Sequence, residues 1–199
     1  MADDKSGREK QAQDGDRRQR ERDVAAELAR GDEPEPPFDA ADLVDIEEEL
    51  ESLTFPATGA EIVAVVGDRA IESPTERYTI EDLVPAADAE TFESPVAVRA
   101  RLQRPTIAAA MKRIVEASEE HPQESLTDSQ REAYEKTFRK LKALDAVDDD
   151  EGIPAIRDWI VEQLHENETL PGSRAVRREA AEFCRANGYE VRNDEWLGI

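Results

Sequence analysis

The chain of 199 residues carries 48 Asp and Glu against 26 Lys and Arg, a formal net charge of −22, and 38% of its residues are hydrophobic against 37% charged. Such a length holds one domain of ordinary size or two small ones, which excludes a large multidomain enzyme. Only six of the basic residues are Lys and 20 are Arg. Excess carboxylate with Arg in place of Lys suits a surface that works in molar salt, where a Debye length of roughly 3 Å screens self-repulsion. The composition therefore predicts the cytoplasm of a salt-loving archaeon, the alternative being an acidic, partly disordered protein of another kind of cell.

The start of the chain has paired arginines, Arg17 and Arg18, with no apolar stretch behind them, so no export signal is expected. The longest fully apolar run, Ile62 to Val66, is far short of the ~20 residues that cross a membrane. A lone Cys184 cannot close an internal disulfide, in keeping with a reducing compartment. Acidity is unevenly spread. Residues 1–30 and 171–199 are each neutral, 31–54 carry −10 with no base, 55–120 carry −5 and 121–170 carry −7.

Residues 1–37 have few large apolar side chains before a Pro-rich Glu33-Pro34-Glu35-Pro36-Pro37 run, which predicts a disordered arm and an extended linker. Leu43, Ile46, Leu50 and Leu53 then recur at helical spacing, predicting a helix over about 40–53 with one apolar stripe that must dock on something. Thr58 and Glu61 form a capping box for a short helix that buries Ile62, Val65 and Val66 and ends at Gly67. Ala70-Ile71-Glu72 and Arg77-Tyr78-Thr79 flank Ser73-Pro74-Thr75-Glu76 as the strands of a hairpin, and Thr79 caps a turn of helix through Asp82 to Val84.

Ser94-Pro95 opens a helix with Val98 and Leu102 inward. Pro105 breaks it, and a new helix over about 106–118 carries Ile107, Ala110, Met111, Ile114 and Val115 on one side. Thr127 and Gln130 cap a helix to about 145 whose apolar face is Tyr134, Phe138, Leu141 and Leu144. Residues 148–152 read as a loop, Ile153, Ile156, Ile160 and Leu164 as a helix, and Val176, Ala180, Phe183 and Cys184 as a last helix that Gly188 ends. Tyr189 to Val191 fit a short strand, with Trp196 and Leu197 as an apolar anchor. The fold class is thus mainly α with one small β-hairpin and a disordered N-terminal arm, divided into 1–37, a subdomain at 38–120 and a helical subdomain at 121–199.

Catalytic signatures fail in turn. The nine glycines never fall as a dinucleotide or phosphate loop, and there is no GxSxG elbow. His121 and His165 stand far apart in sequence without a neighbouring Cys, so surface or helix-end roles are expected, and Cys184 falls on an inward helix face as a small hydrophobe. With Gly152 at the sixth position of a calcium loop, Val147 would come first and Asp158 twelfth, which breaks the pattern. No catalytic, cofactor or metal residues are assigned.

Two basic islands stand out. Ser94 to Val115 contains no acid while Arg99, Arg101, Arg104, Lys112 and Arg113 contribute +5. These residues either dock an acidic or phosphorylated partner or pair internally with acidic helices such as 40–53. Arg174, Arg177, Arg178 and Arg185 lie on the last helix, where a helix-turn-helix would present them to DNA, or where they form a solvated or internally paired face beside Glu179 and Glu182.

Phe55-Pro56-Ala57-Thr58 with Glu61-Ile62-Val63, Gly67-Asp68-Arg69, Thr91-Phe92-Glu93-Ser94-Pro95 and Val98 resembles an uncharacterised haloarchaeal protein family. The Phe-Pro-Ala and Ser-Pro segments are also similar to a small prokaryotic domain of unknown function. The resemblance covers about 55–105, with Arg174 to Ile199 of the same haloarchaeal type, and it implies no catalytic residue. The leading expectation is a non-enzymatic interaction protein that binds a protein partner through the stripe of 40–53 or the island at Arg99 to Arg113. The alternative is a nucleic-acid-binding regulator that uses the last helix.

Overall fold

Capping boxes and apolar stripes account for nearly every element in the computed structural model of the protein, which describes residues 38, 43–72, 77–121, 123–144 and 151–188. The expected arm at 1–37, the hairpin turn at 73–76, the acidic residues 148–150, the expected strand at 189–191, and Trp196 and Leu197 lie outside the described residues. Eight helices and two short antiparallel strand pairs are present among them, so the mainly α expectation holds.

The first helix, α1 (Val44–Leu50), ends before the expected 53, the chain passing into turns from Glu51, and residues 40–42 lie outside the described residues. Its stripe does dock: Leu43, Ile46 and Leu50 are buried, and α1 packs on α2 (Gly59–Val66) and α4 (Pro95–Leu102). Thr58 caps α2 as predicted. Its hydroxyl accepts from Glu61 N at 3.2 Å, and Glu61 Oε2 accepts from Thr58 N at 2.8 Å. The hairpin pairs β2 (Ala70–Glu72) with β3 (Arg77–Thr79) in the register Ala70↔Thr79, Ile71↔Tyr78, Glu72↔Arg77, and Ile71 turns into the core.

A second pair was not foreseen. β1 (Ala57–Thr58) lies antiparallel to β4 (Thr91–Phe92), and strands of two residues carry no readable period. Gly59 makes this junction possible. Its N–H donates to Glu90 O at 2.8 Å, and a Cβ there would stand 2.2 Å from Pro85 O, a distance only hydrogen permits. After β3, α3 (Ile80–Leu83) follows directly on Thr79.

α5 (Pro105–Glu119) begins at the proline that breaks α4. α6 (Asp128–Leu144), α7 (Gly152–Asn167) and α8 (Ser173–Ala186) complete the chain, with Glu168 at φ +54° ending α7 and Gly188 at φ +79° following α8. α5 packs on α7 and α6 on α8. Tyr134 of α6 donates its hydroxyl to Pro171 O, just before α8. The core forms two clusters. One gathers the first half around Ile62, Ile80, Leu83 and Leu102; the other gathers Met111, Ile114, Phe138, Ile160 and Val176. α5 contributes to both, Ala108 to the former and Ile107, Met111 and Ile114 to the latter.

The turn of α3 supplies an acid-sensitive element. Asp82 Oδ2 accepts from Thr79 Oγ1 and Thr79 N, each at 2.7 Å. These bonds, the side-chain one foremost, hold the Asp82 carboxyl below the usual range. A carboxylate depressed on folding stabilises the protein above its unfolded pKa of about 3.9 and loses that contribution as pH falls through the folded value. In thermal melts across the acid limb, Asp82→Asn will show a shallower loss of stability with falling pH than the parent.

Candidate functional site

The first basic island is largely spent inside the molecule. Arg99 Nη1 lies 2.9 Å from Glu47 Oε2, which ties α4 to the acidic helix α1. Arg101 Nη2 lies 2.9 Å from Glu90 Oε1 and 2.7 Å from Glu135 Oε1, with its guanidinium carbon 5.7 Å from the centre of the Phe92 ring. Lys112 pairs with Glu116 one turn on, at 2.8 Å. Arg104 Nη1 donates to Ala100 O at 3.3 Å, and Arg113 is exposed on α5. Of the two readings of the island, internal pairing describes Arg99, Arg101 and Lys112.

Glu90 is the centre of that pairing and drew no notice as one acid among many. It is fully buried, and its Oε1 accepts from Arg101 and from Arg131 of α6. Burial works against the charge of Arg101, yet the carboxylates of Glu135 and Glu90 outweigh it and raise its pKa. Above this cluster opens a cleft of about 490 Å³ between β4, α4 and α6. Arg101, Arg104, Arg131 and Arg139 face Glu93, Glu132 and Glu135 across it over a floor of Phe92 and Ile107. With Glu90 beneath, the acids equal the bases, so the cleft carries no excess charge for a free anion.

The second island is different. Arg174, Arg178 and Arg185 are exposed on α8, while Arg177 is half-buried and bonds to Ser173 O at 3.2 Å. α8 packs beside α6, whose second half, Lys136 to Leu144, holds Lys136, Arg139, Lys140 and Lys142 and no acid. Lys140 has its pKa lowered by partial burial and then by the nearby charges of Lys136 and Arg177. The two helices thus bring cations of both onto neighbouring elements, with Tyr134 of α6 bonded to Pro171 at the start of α8 and with Glu179 and Glu182 on α8 among them. The sequence contains the signal, an acid-free run carrying +4 inside a segment of −7, but the run is split from Arg177 by the whole of α7.

Cys184 is buried as expected. His121 and His165 do not stay apart: their ring centres lie 5.7 Å from each other. Among the described residues no three His, Cys, Asp or Glu side chains are gathered to hold a metal ion, and no helix is long and apolar enough to cross a membrane.

Residues 40–113 match a family of unknown function, DUF5789, so the first half of the structure is an uncharacterised domain, wider than the 55–105 that the Phe-Pro-Ala and Ser-Pro motifs mark. No curated protein and no solved structure matches the chain.

Removing Glu90 takes the buried carboxylate from Arg131 and leaves Arg101 with Glu135, whereas Arg99 and Glu47 are partly in water. In urea denaturation Glu90→Ala will lower stability by about 3–5 kcal/mol, and Arg99→Ala by about 1 kcal/mol or less.

Proposed function

We propose that the protein is a non-enzymatic binding protein of a salt-rich cytoplasm and that its partner is nucleic acid, held on the joint face of α6 and α8. The observation that carries the reading is that Lys136 of α6 and Arg174 and Arg178 of α8 are exposed on two helices packed together, alongside Glu179 and Glu182, in a chain of net charge −22. Like charges placed together raise the energy of the folded state, and a polyanion that approaches from outside removes the repulsion. The exposed arginines of α8 stand one turn apart, at 174 and 178, spaced to follow a phosphate backbone or to enter a groove.

The protein-docking surfaces expected from sequence are occupied from within. The stripe of Leu43, Ile46 and Leu50 is core, and Arg99, Arg101 and Lys112 hold carboxylates of the same chain. Lys136 of α6 and Arg174, Arg178 and Arg185 of α8 are exposed as well, and their chemistry suits phosphate better than an apolar partner.

Fluorescence anisotropy with labelled duplex DNA and with an RNA hairpin, across a KCl series, tests the reading. Binding is expected, with log affinity falling linearly in log salt. Replacing Arg174, Arg177 and Arg178 together with Glu will abolish it, and Lys136→Gln will reduce the salt slope by about one. No binding by the parent protein at any salt concentration ends the proposal. The same face makes a second prediction, on stability. A folded-state pKa below the usual Lys value means that the charge on Lys140 opposes folding until pH rises through that value. Lys140→Gln will therefore raise the melting temperature at neutral pH in dilute salt, by a shift that shrinks as KCl is added, while it weakens nucleic-acid binding.

A further inference from the structure

The only two histidines of the chain meet at one end of the helical half. His121 follows the last turn of α5, and His165 sits in the last turn of α7. α5 and α7 lie side by side and run the same way, because Arg113, midway along α5, shares a shallow pocket with Asp158 and Glu162 of α7. Both helices therefore direct their C-terminal carbonyls, with their partial negative charge, toward the imidazoles.

The distances suit a shared ion. A Zn–N bond of about 2.1 Å and a ring radius of about 1.2 Å put the centres of two imidazoles on one ion roughly 5 to 6.5 Å apart, depending on the angle at the metal. The observed separation is 5.7 Å, with the planes tilted by 37°. Glu120 Oε2 lies 3.9 Å from His165 Nε2. Both side chains are at least half exposed, and Glu120 stands beside the imidazole pair as a neighbouring carboxylate rather than as a third ligand. Glu162 and Glu166 line the same pocket as His165, and Glu124 N donates to His121 O at 2.9 Å. Leu170 N donates to Glu124 Oε2 at 3.3 Å, so the segments that follow α5 and α7 are tied to each other.

We propose that His121 and His165 form a two-imidazole site for a divalent transition metal of the Zn²⁺ or Ni²⁺ class, with water completing the coordination and Glu120 as a neighbouring carboxylate. Imidazole selects these ions over Mg²⁺ and Ca²⁺, which oxygen ligands alone would hold equally well or better. The site clasps the end of α5 to the end of α7, so a bound ion stabilises the fold by mass action.

Isothermal titration of the full chain with ZnCl₂, and separately with MgCl₂, reads the site directly. One Zn²⁺ is expected per chain, with no comparable Mg²⁺ binding, and His121→Ala or His165→Ala will each weaken Zn²⁺ binding by roughly tenfold or more. Melting curves separate this from a folding defect. Both variants will melt with the parent protein in EDTA, and only the parent will gain melting temperature on adding Zn²⁺. Equal Zn²⁺ affinity in parent and variants, or Mg²⁺ binding as tight as Zn²⁺, would overturn the proposal in favour of surface carboxylates alone.

Discussion

Glu90 is held from two directions, and the rest of the molecule is arranged around that constraint. Its backbone carbonyl accepts from Gly59 at the start of α2, and its carboxylate accepts from Arg101 of α4 and Arg131 of α6. A buried carboxylate is tolerated only when cations and hydrogen bonds replace the water it has lost. Satisfying it requires that β4, α4 and α6 come together in one geometry. The residue therefore couples the segment that matches the unknown-function family to a helix that lies beyond it in sequence.

Charge is used in opposite ways at the two basic islands. In the first, arginines are neutralised by partners from other elements, Glu47 from α1 and Glu135 from α6, and what looks in sequence like an acid-free surface becomes internal mortar. In the second, Lys136 of α6 and Arg174, Arg178 and Arg185 of α8 are exposed on two packed helices. The net charge of the chain describes neither place. A strongly acidic protein can carry a locally cationic face because screening limits how far each charge is felt.

Local signals made most of the fold legible. The capping pairs Thr58 with Glu61 and Thr127 with Gln130, and Ser94 ahead of Pro95, start helices where the residues predict them, because each is a contact between neighbours three positions apart. The hairpin of β2 and β3 was legible for the same reason. What escaped was everything set by distant partners. The β1–β4 pair, the burial of Glu90, the meeting of His121 with His165 and the addition of Lys140 to Arg177 all depend on which helices lie side by side, and no periodicity encodes that. The stripe of α1 shows the boundary well: its existence was readable, and its destination inside the same chain was not.

Helix α5 has a mechanical consequence. The family match ends at Arg113, within a helix that continues to Glu119, and the residues past that point, Ile114, Val115 and Ala117, belong to the core of the second half. The junction between the two halves is thus a continuous rod, with no hinge along it. Parting the halves would therefore expose Ala108 on one part of α5 and Met111 and Ile114 on the rest of the same helix.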